Sequence, residues 1–250
     1  MPQNKMKIAL IGYGKMGHAV EEVIGESTTH EVVSISYKNS KEKLDKEGIK
    51  RADVAIDFTS PEIVVGTIQE VLRLGTKMVV GTTGWYDDLS KVKTLVKKYK
   101  GGLIYGQNFS IGANIFFQVV GFASQLFSKF GNYDVAGLEI HHTGKKDSPS
   151  GTAKKLASVI MENFPKKKVL ETGRLDRPIK DDEFHFASLR VGRNFGFHEI
   201  IFDSSADEIK LSHSAHSRRG FAEGAVLAAE YIRGKKGWHS VDEVFVEGVK

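Results

Sequence analysis

The sequence predicts an α/β protein: a doubly wound parallel sheet followed by a second α+β domain built on a mixed sheet. Three observations lead there. From Met6 to Asn108, short apolar runs alternate with stretches of helical periodicity. A glycine-rich turn separates the first apolar run from the first helix. Beyond Phe130, strand-like runs follow one another with only one helix among them, which argues for a mixed or antiparallel sheet.

Taken in order, Met6 to Ile11 is apolar and short enough for a buried strand. After the glycines, Met16, Ala19, Val20, Val23 and Ile24 recur at helical spacing. "HEVVSISY" (30–37) and "ADVAIDFT" (52–59) read as the second and third strands. "PEIVVGTIQEVLRLG" (61–75) reads as a helix, with Pro61 in its first turn and Gly75 as its stop. "KMVVGTTG" (77–84) is a fourth strand, "YDDLSKVKTLVKKY" (86–99) a helix and "GGLIYGQN" (101–108) a fifth strand. An apolar helix spans 109–130, after which strands are predicted over 133–141, 183–191, 196–203 and 208–213, with a helix from Thr152 between the first two. "GFAEGAVLAAEYIRG" (220–234) is an amphipathic helix that returns to the first domain.

Composition narrows the function. A chain of 250 residues, 40 % hydrophobic, can bury one large core or two modest ones. No segment approaches the roughly 18 consecutive apolar residues of a membrane helix, and the first residues lack the apolar core of a secretion signal. A cytoplasmic protein without a membrane partner is therefore expected. The absence of cysteine removes disulfides, thiolate metal sites and a cysteine nucleophile, and with no HExxH pattern among the nine histidines no metal is expected. The formal charge of +5 is spread along the chain, as in "KTLVKKYK" (93–100) and "KKK" (166–168), so it reads as a solvated face rather than a nucleic-acid site, and an anionic small molecule fits the surplus just as well.

Gly12-Tyr13-Gly14-Lys15-Met16-Gly17 fits G-x-G-x-x-G. Gly12 allows the tight turn, Gly14 close approach of a pyrophosphate, and Gly17 close packing of helix on strand, while the helix amides of Lys15 and Met16 face the phosphates. Between a strand and a helix in a βαβ frame, the motif points to a Rossmann-type sheet binding a dinucleotide. At the end of the second strand stand Ser36, Tyr37, Lys38 and Asn39, with no acid before Glu42. A cation and a hydroxyl suit a 2′-phosphate, so NADPH is slightly favoured over NADH and use of both stays open. Phe58 and Thr59 after the third strand, and Gly81, Thr82 and Thr83 after the fourth, lie where such sheets bind ligands.

"EIHHTGKKDSPSGTAKK" (139–155) gathers two imidazoles, lysines and the head of a helix. His141 or His142 offers a proton donor near neutral pH, Lys145 or Lys146 a charge, and Ser150, Gly151 and Thr152 a helix start that attracts a carboxylate.

The stretch resembles the signature of the 4-hydroxy-tetrahydrodipicolinate reductase (dihydrodipicolinate reductase) family, E-x-H-H-x-x-K-x-D-x-P-S-G-T-A, at every fixed position. "GYGKMG", "AIDFTSP", "VGTTG", "QNFSIGAN" and "SHSAHSRRGFAEGAV" extend the resemblance over nearly the whole chain. It implies a dinucleotide-binding domain from 1–109 and 219–250, and a substrate-binding and oligomerisation domain at 110–218, in a homotetramer. It implies hydride transfer from NADPH or NADH to a cyclic dicarboxylate imine, giving tetrahydrodipicolinate on the diaminopimelate route to lysine. His141 resembles the family's proton donor and Lys145 its partner, while His142, Ser150, Gly151, Thr152 and Arg218 resemble the substrate's contacts. Asn108 and Phe109 join the cofactor-binding positions. Two alternatives remain open at this point. A related Rossmann amino-acid dehydrogenase would not need the His-His-x-x-Lys and Pro-Ser-Gly-Thr pairing, and a non-catalytic dinucleotide sensor would tolerate loss of His141 and Lys145.

Overall fold

The computed structural model describes residues 5–37 and 43–247, with side chains as far as Phe245. In chain order the elements are β1 (Met6–Ile11), α1 (Lys15–Gly25), β2 (His30–Ser36), α2 (Lys46–Arg51), β3 (Val54–Asp57), α3 (Pro61–Arg73), β4 (Lys77–Val80), α4 (Leu89–Tyr99) and β5 (Gly102–Tyr105). Then follow α5 (Ile111–Phe127), β6 (Asp134–His141), α6 (Gly151–Asn163), β7 (Val169–Glu171), β8 (Glu183–Arg190), β9 (Phe197–Asp203) and β10 (Glu208–Ser214). The last are α7 (Arg219–Arg233), β11 (Gly237–Ser240) and α8 (Val241–Glu247). Contacts divide the chain into unit 1, Met1–Ile111 with Arg218–Lys250, and unit 2, Gly112–Ser217.

Unit 1 is a parallel sheet in the order β11-β5-β4-β3-β1-β2. Side chains alternate across a strand, so a sheet covered on both sides needs apolar residues at both parities. In β1, Ile8 and Leu10 enter the core beneath α1 and α7, while Ala9 and Ile11 enter the one beneath α3 and α4. Each wholly buried Ile or Leu contributes about 1.5–3 kcal/mol, which is what fixes strands of only four residues such as β3 and β4. At the sheet edge, Trp238 of β11 lies 4.6 Å from the Tyr105 ring of β5, and Trp85 meets both edge-on at 6.1 and 6.5 Å.

Unit 2 carries a mixed sheet in the order β10-β9-β6-β8-β7. β6 runs parallel to β8, and β9 antiparallel to β6 and β10. Its inner face packs Phe184, Phe186, Ile200 and Phe202 against Phe116 and Phe117 of α5 and Leu156 and Ile160 of α6.

The predicted α/β class and mixed second sheet are present, with four additional short elements. α2 contains Gly48 and carries little apolar periodicity; it forms because Asp45 accepts the Gly48 amide at 2.9 Å. β7 is three residues long, and β11 is a Gly-Trp-His-Ser edge strand held by β5. α8 completes the core beside α7 with Val244 and Phe245. Phe58–Thr59 and Gly81–Thr83 lie beyond β3 and β4 as loops, where they were expected after these strands, and the fifth strand ends before Gly106–Asn108.

Candidate active site

In unit 1, the loops after β1, β3, β4 and β5 leave the same end of the sheet. Gly12 takes φ +89°, and an added Cβ would press into the Phe58 carbonyl. Around Gly14, by contrast, there is open space, and as the N-cap of α1 it brings no side chain to cap the first amides. A backbone turn crowded on one side and open before a helix start fits a dinucleotide pyrophosphate.

Asp57, wholly buried at the end of β3, ties two of these loops together. It accepts hydrogen bonds from Thr82 Oγ1 at 2.6 Å, Thr59 Oγ1 at 2.9 Å and the Thr59 amide at 3.2 Å. The Thr59 amide also donates to Thr82 Oγ1 at 2.8 Å. An added Cβ at Gly81 would collide with the Phe58 ring, which meets Phe109 edge-on at 6.4 Å. Asn108 Oδ1 accepts the Ser110 amide at 2.8 Å. The structure therefore brings Gly12, Phe58, Thr59, Gly81, Thr82 and Phe109 together. Lys15 and Thr83 are exposed, Met16 packs partly into the core, Gly17 is buried against the Gly12 turn, and Lys38 lies outside the described residues.

Burial pushes the Asp57 carboxyl up to about 6 against the hydrogen bonds from Thr82 and Thr59, which pull it down. The folded chain thus holds this proton more tightly than the unfolded one, whose carboxyl titrates near the ordinary 3.8. The group's stabilising contribution is complete below pH 4 and is lost as pH rises through about 6. A shift of this size corresponds to about 3 kcal/mol. Asp57→Asn should remove that dependence: between pH 4 and 7 the original chain should lose about 3 kcal/mol relative to the variant in denaturant titrations. Parallel stability curves would contradict the assignment.

In unit 2, β6 directs Val135, Gly137, Glu139 and His141 to the inner face. Glu139 is wholly buried. Its Oε1 accepts from Ser188 Oγ at 2.8 Å, the Ser150 amide at 3.1 Å and Arg190 at 3.3 Å. Its Oε2 lies 3.5 Å from both His141 Nδ1 and His198 Nε2. Burial alone would push the Glu139 carboxyl up, but bonds from His198, Ser150 and Ser188 outweigh it and hold it well below the usual range. Burial pulls the His141 imidazole down to about 4; Glu139 opposes that shift, while His198, Lys145 and Arg190 add to it.

After β6 the chain leaves the sheet. His142 is exposed, and half-buried Lys145 pairs with Asp147 at 2.8 Å. Ser150 caps α6 by accepting the Ala153 amide at 3.1 Å, with His198 Nε2 at 3.3 Å from the same hydroxyl. Gly151 is exposed, with open space where a Cβ would stand, and Thr152 is half-buried. The helix head and His141 thus converge on Glu139. Arg218 immediately precedes α7 in unit 1. The geometry adds Asp57, Glu139, Ser188, Arg190 and His198 to the predicted residues. Only Glu139 had a visible signal, two positions before His141 and so on the same strand face.

Among the described residues, Glu139, His141 and His198 form the one trio whose ligand atoms lie within 4.8 Å of one another. The carboxylate already faces the Arg190 cation and two neutral donors, so this donor set serves a charge-assisted network rather than a second cation. No described helix is long and apolar enough to cross a membrane.

Residues 6–109 match the profile of the dihydrodipicolinate reductase N-terminus, and 112–245 that of its C-terminus. A 4-hydroxy-tetrahydrodipicolinate reductase of Christiangramia forsetii is 38 % identical over 239 residues, 96 % of this chain and 97 % of that protein. One from Methanocaldococcus jannaschii is 35 % identical over 225 residues, 89 % and 80 % of the two chains. The fold resembles that of a dipicolinate-bound dihydrodipicolinate reductase from Paenisporosarcina sp. TG-14, with a TM-score of 0.77 at 24 % identity over 98 % of this chain and 100 % of that one. With both profiles matched in order and relatives similar over most of their length, the chain belongs to the dihydrodipicolinate reductase family.

Proposed function

We propose that the chain is a 4-hydroxy-tetrahydrodipicolinate reductase, an oxidoreductase that reduces a cyclic dicarboxylate imine to tetrahydrodipicolinate with loss of water from the hydroxylated form. The observation that carries this reading is the match to both parts of the family across the chain, with the His-His-x-x-Lys and Pro-Ser-Gly-Thr residues in place. An amino-acid dehydrogenase or a sensor has no use for that pairing.

The turn at Gly12 and Gly14, with Lys15, Met16 and Gly17, would hold the dinucleotide, and Phe58, Thr59, Gly81, Thr82, Thr83, Asn108 and Phe109 would line its path. When bound, the reduced nicotinamide supplies hydride to C4 of the substrate. Unit 2 provides the remaining chemistry. The Ser150 hydroxyl and the amides of Gly151 and Thr152, with His142 and Lys145, receive the two carboxylates, and Arg218 joins them on the family pattern alone. His141 then protonates the electron-rich C3. Its pKa of about 4 in the free chain leaves the imidazole neutral near pH 7, so its proton must be taken up alongside the substrate, whose two negative charges favour the imidazolium.

The finer parts of the proposal rest on particular features. NADPH is favoured by Lys38 with no acid beside it. A cytoplasmic setting agrees with pathway chemistry that uses a soluble cofactor. A homotetramer is supported by the outer face of the mixed sheet, where Leu138, Ile140, Leu189, Phe197 and Ile201 stand at positions that a solvated sheet would fill with polar residues.

The test couples the purified chain to a synthase that generates substrate from pyruvate and aspartate semialdehyde, follows NADPH and NADH by absorbance, and measures mass by light scattering. Substrate-dependent oxidation of either cofactor and a tetrameric mass are expected. Dinucleotide binding without oxidation would sink the reductase reading, and a monomeric mass would sink the oligomer.

A further inference from the structure

We infer that Glu139 is the positioning residue of the unit 2 site: it fixes the imidazole of His141 with Nδ1 protonated and turned inward, in a set relation to the head of α6. The inference deepens the functional reading and rests on it for the kinetic part only.

The groups around Glu139 come from four different elements. Strand register places Ser188 of β8 and His198 of β9 opposite it, one on each side. Arg190 reaches it from further along β8, the Ser150 amide from the head of α6, and His141 from two residues along its own strand. A lone carboxylate on an inner strand face is costly, and it persists because these donors converge. A purely structural ion pair would need only Arg190.

The two oxygens divide their partners. Oε1 takes Ser188 and Arg190, Oε2 faces the two imidazoles at 3.5 Å, and the Ser150 amide is shared between the two oxygens at 3.1 and 3.3 Å. His141 Nδ1 is buried and makes no hydrogen bond, and Glu139 Oε2, 3.5 Å away, is the acceptor beside it, so a proton on Nδ1 is the tautomer this setting favours. Nε2 then becomes the atom that exchanges a proton. Gly196, at φ +147°, keeps the space beside it: a Cβ there would stand 3.1 Å from His141 Nε2. Through the Ser150 amide, the same carboxylate sets where α6 begins. The cap hydroxyl of Ser150 lies 3.3 Å from His198, which meets His141 edge-on at 5.1 Å between ring centres.

The charged and titratable groups facing His141 are Glu139 on its own strand, His198 on β9, Arg190 on β8 and Lys145 in the following loop, the last paired with Asp147. Glu139 is the anion among them that directly faces the ring, so removing its charge shifts His141 towards the neutral form.

Histidine-labelled nitrogen NMR on the full chain, with His141→Gln identifying the resonance, reads the tautomer directly. The Nδ1–H form is expected; a proton on Nε2 in the unaltered chain overturns the proposal without any variant. Glu139→Gln keeps the shape and removes the charge. It should lower the His141 titration midpoint by about one unit and move the pH optimum of turnover in the acid direction. At neutral pH kcat should fall about 30-fold while the dicarboxylate KM changes less than about threefold, because the amide oxygen of Gln still accepts the Ser150 N–H. A variant whose histidine titration and pH profile superimpose on those of the original chain refutes a positioning role. Because the NMR readings need no substrate, a chain with the expected tautomer but no reductase activity would sink the functional reading and leave this one standing.

Discussion

His141→Gln is expected to lower kcat by about two to four orders of magnitude while leaving the KM for the dicarboxylate within about threefold. Glutamine fills much of the same buried space on β6 and can still hydrogen-bond, but it carries no proton that it can give up near neutral pH. The loss therefore falls on protonation of C3 rather than on binding. The pH dependence of the original chain gives a second handle. Burial holds the free imidazole near 4, so the limb of kcat/KM, which reports the free enzyme, should lie well to the acid side of the limb of kcat. In the complex, the substrate's two carboxylates favour the imidazolium and shift the latter limb upward. Lys145→Ala should behave differently, raising KM and lowering kcat together, because an ammonium that receives a carboxylate and neighbours the donor serves both steps. Near-normal turnover in His141→Gln would remove His141 from the donor role.

Gly12→Ala is expected to weaken dinucleotide binding by at least about a hundredfold and to cost about 2–4 kcal/mol of stability. Two independent penalties meet at this position. The backbone holds φ +89°, which an L side chain adopts only under strain, and the new methyl would enter the space of the Phe58 carbonyl and the Thr59 amide. Relief requires the loop after β3 to move. That loop cannot move alone, because Asp57 and Thr82 bind Thr59 and through it the loop after β4. The damage thus spreads from the pyrophosphate turn to the nicotinamide side. Fluorescence titration with NADPH and a denaturant melt measure the two effects separately. Gly14→Ala provides the contrast: its Cβ meets nothing within 4 Å, so stability should hold even where phosphate approach is hindered. Equal, unaltered affinity in both variants would remove the glycine turn from the binding site.

Legibility in the sequence followed the range of the interactions. Unit 1 was readable because local signals suffice for a βα repeat: apolar runs buried on both faces, Pro61 starting α3, and glycines ending strands. β11 was not, since Gly-Trp-His-Ser has no strand pattern of its own and exists only because β5 offers an open edge. α2 depends on the side chain of Asp45, a contact that six residues of weak periodicity do not announce. The same division runs through the candidate site. The glycine turn, His141, Lys145 and the Pro-Ser-Gly-Thr helix head are contiguous motifs and were read directly. Ser188, Arg190 and His198 reach Glu139 through strand register, which places residues from distant parts of the chain side by side and leaves no local trace. Asp57 stood unremarked in the predicted third strand, and its role as a clasp between two loops depends on β3 and β4 ending level.

The aromatic cluster at the edge of the unit 1 sheet has an optical consequence. Trp85 and Trp238 are the chain's two tryptophans, so ultraviolet emission excited in indole arises from unit 1 alone and unit 2 is silent in that channel. Trp85 is almost wholly buried and donates its indole N–H to the Thr82 carbonyl at 2.7 Å, within the loop proposed to line the cofactor's path. The chain therefore carries a built-in, label-free reporter wired to one side of its chemistry. A change in emission on adding dinucleotide reads the loop after β4, and a dicarboxylate that binds unit 2 alone should leave the spectrum unmoved.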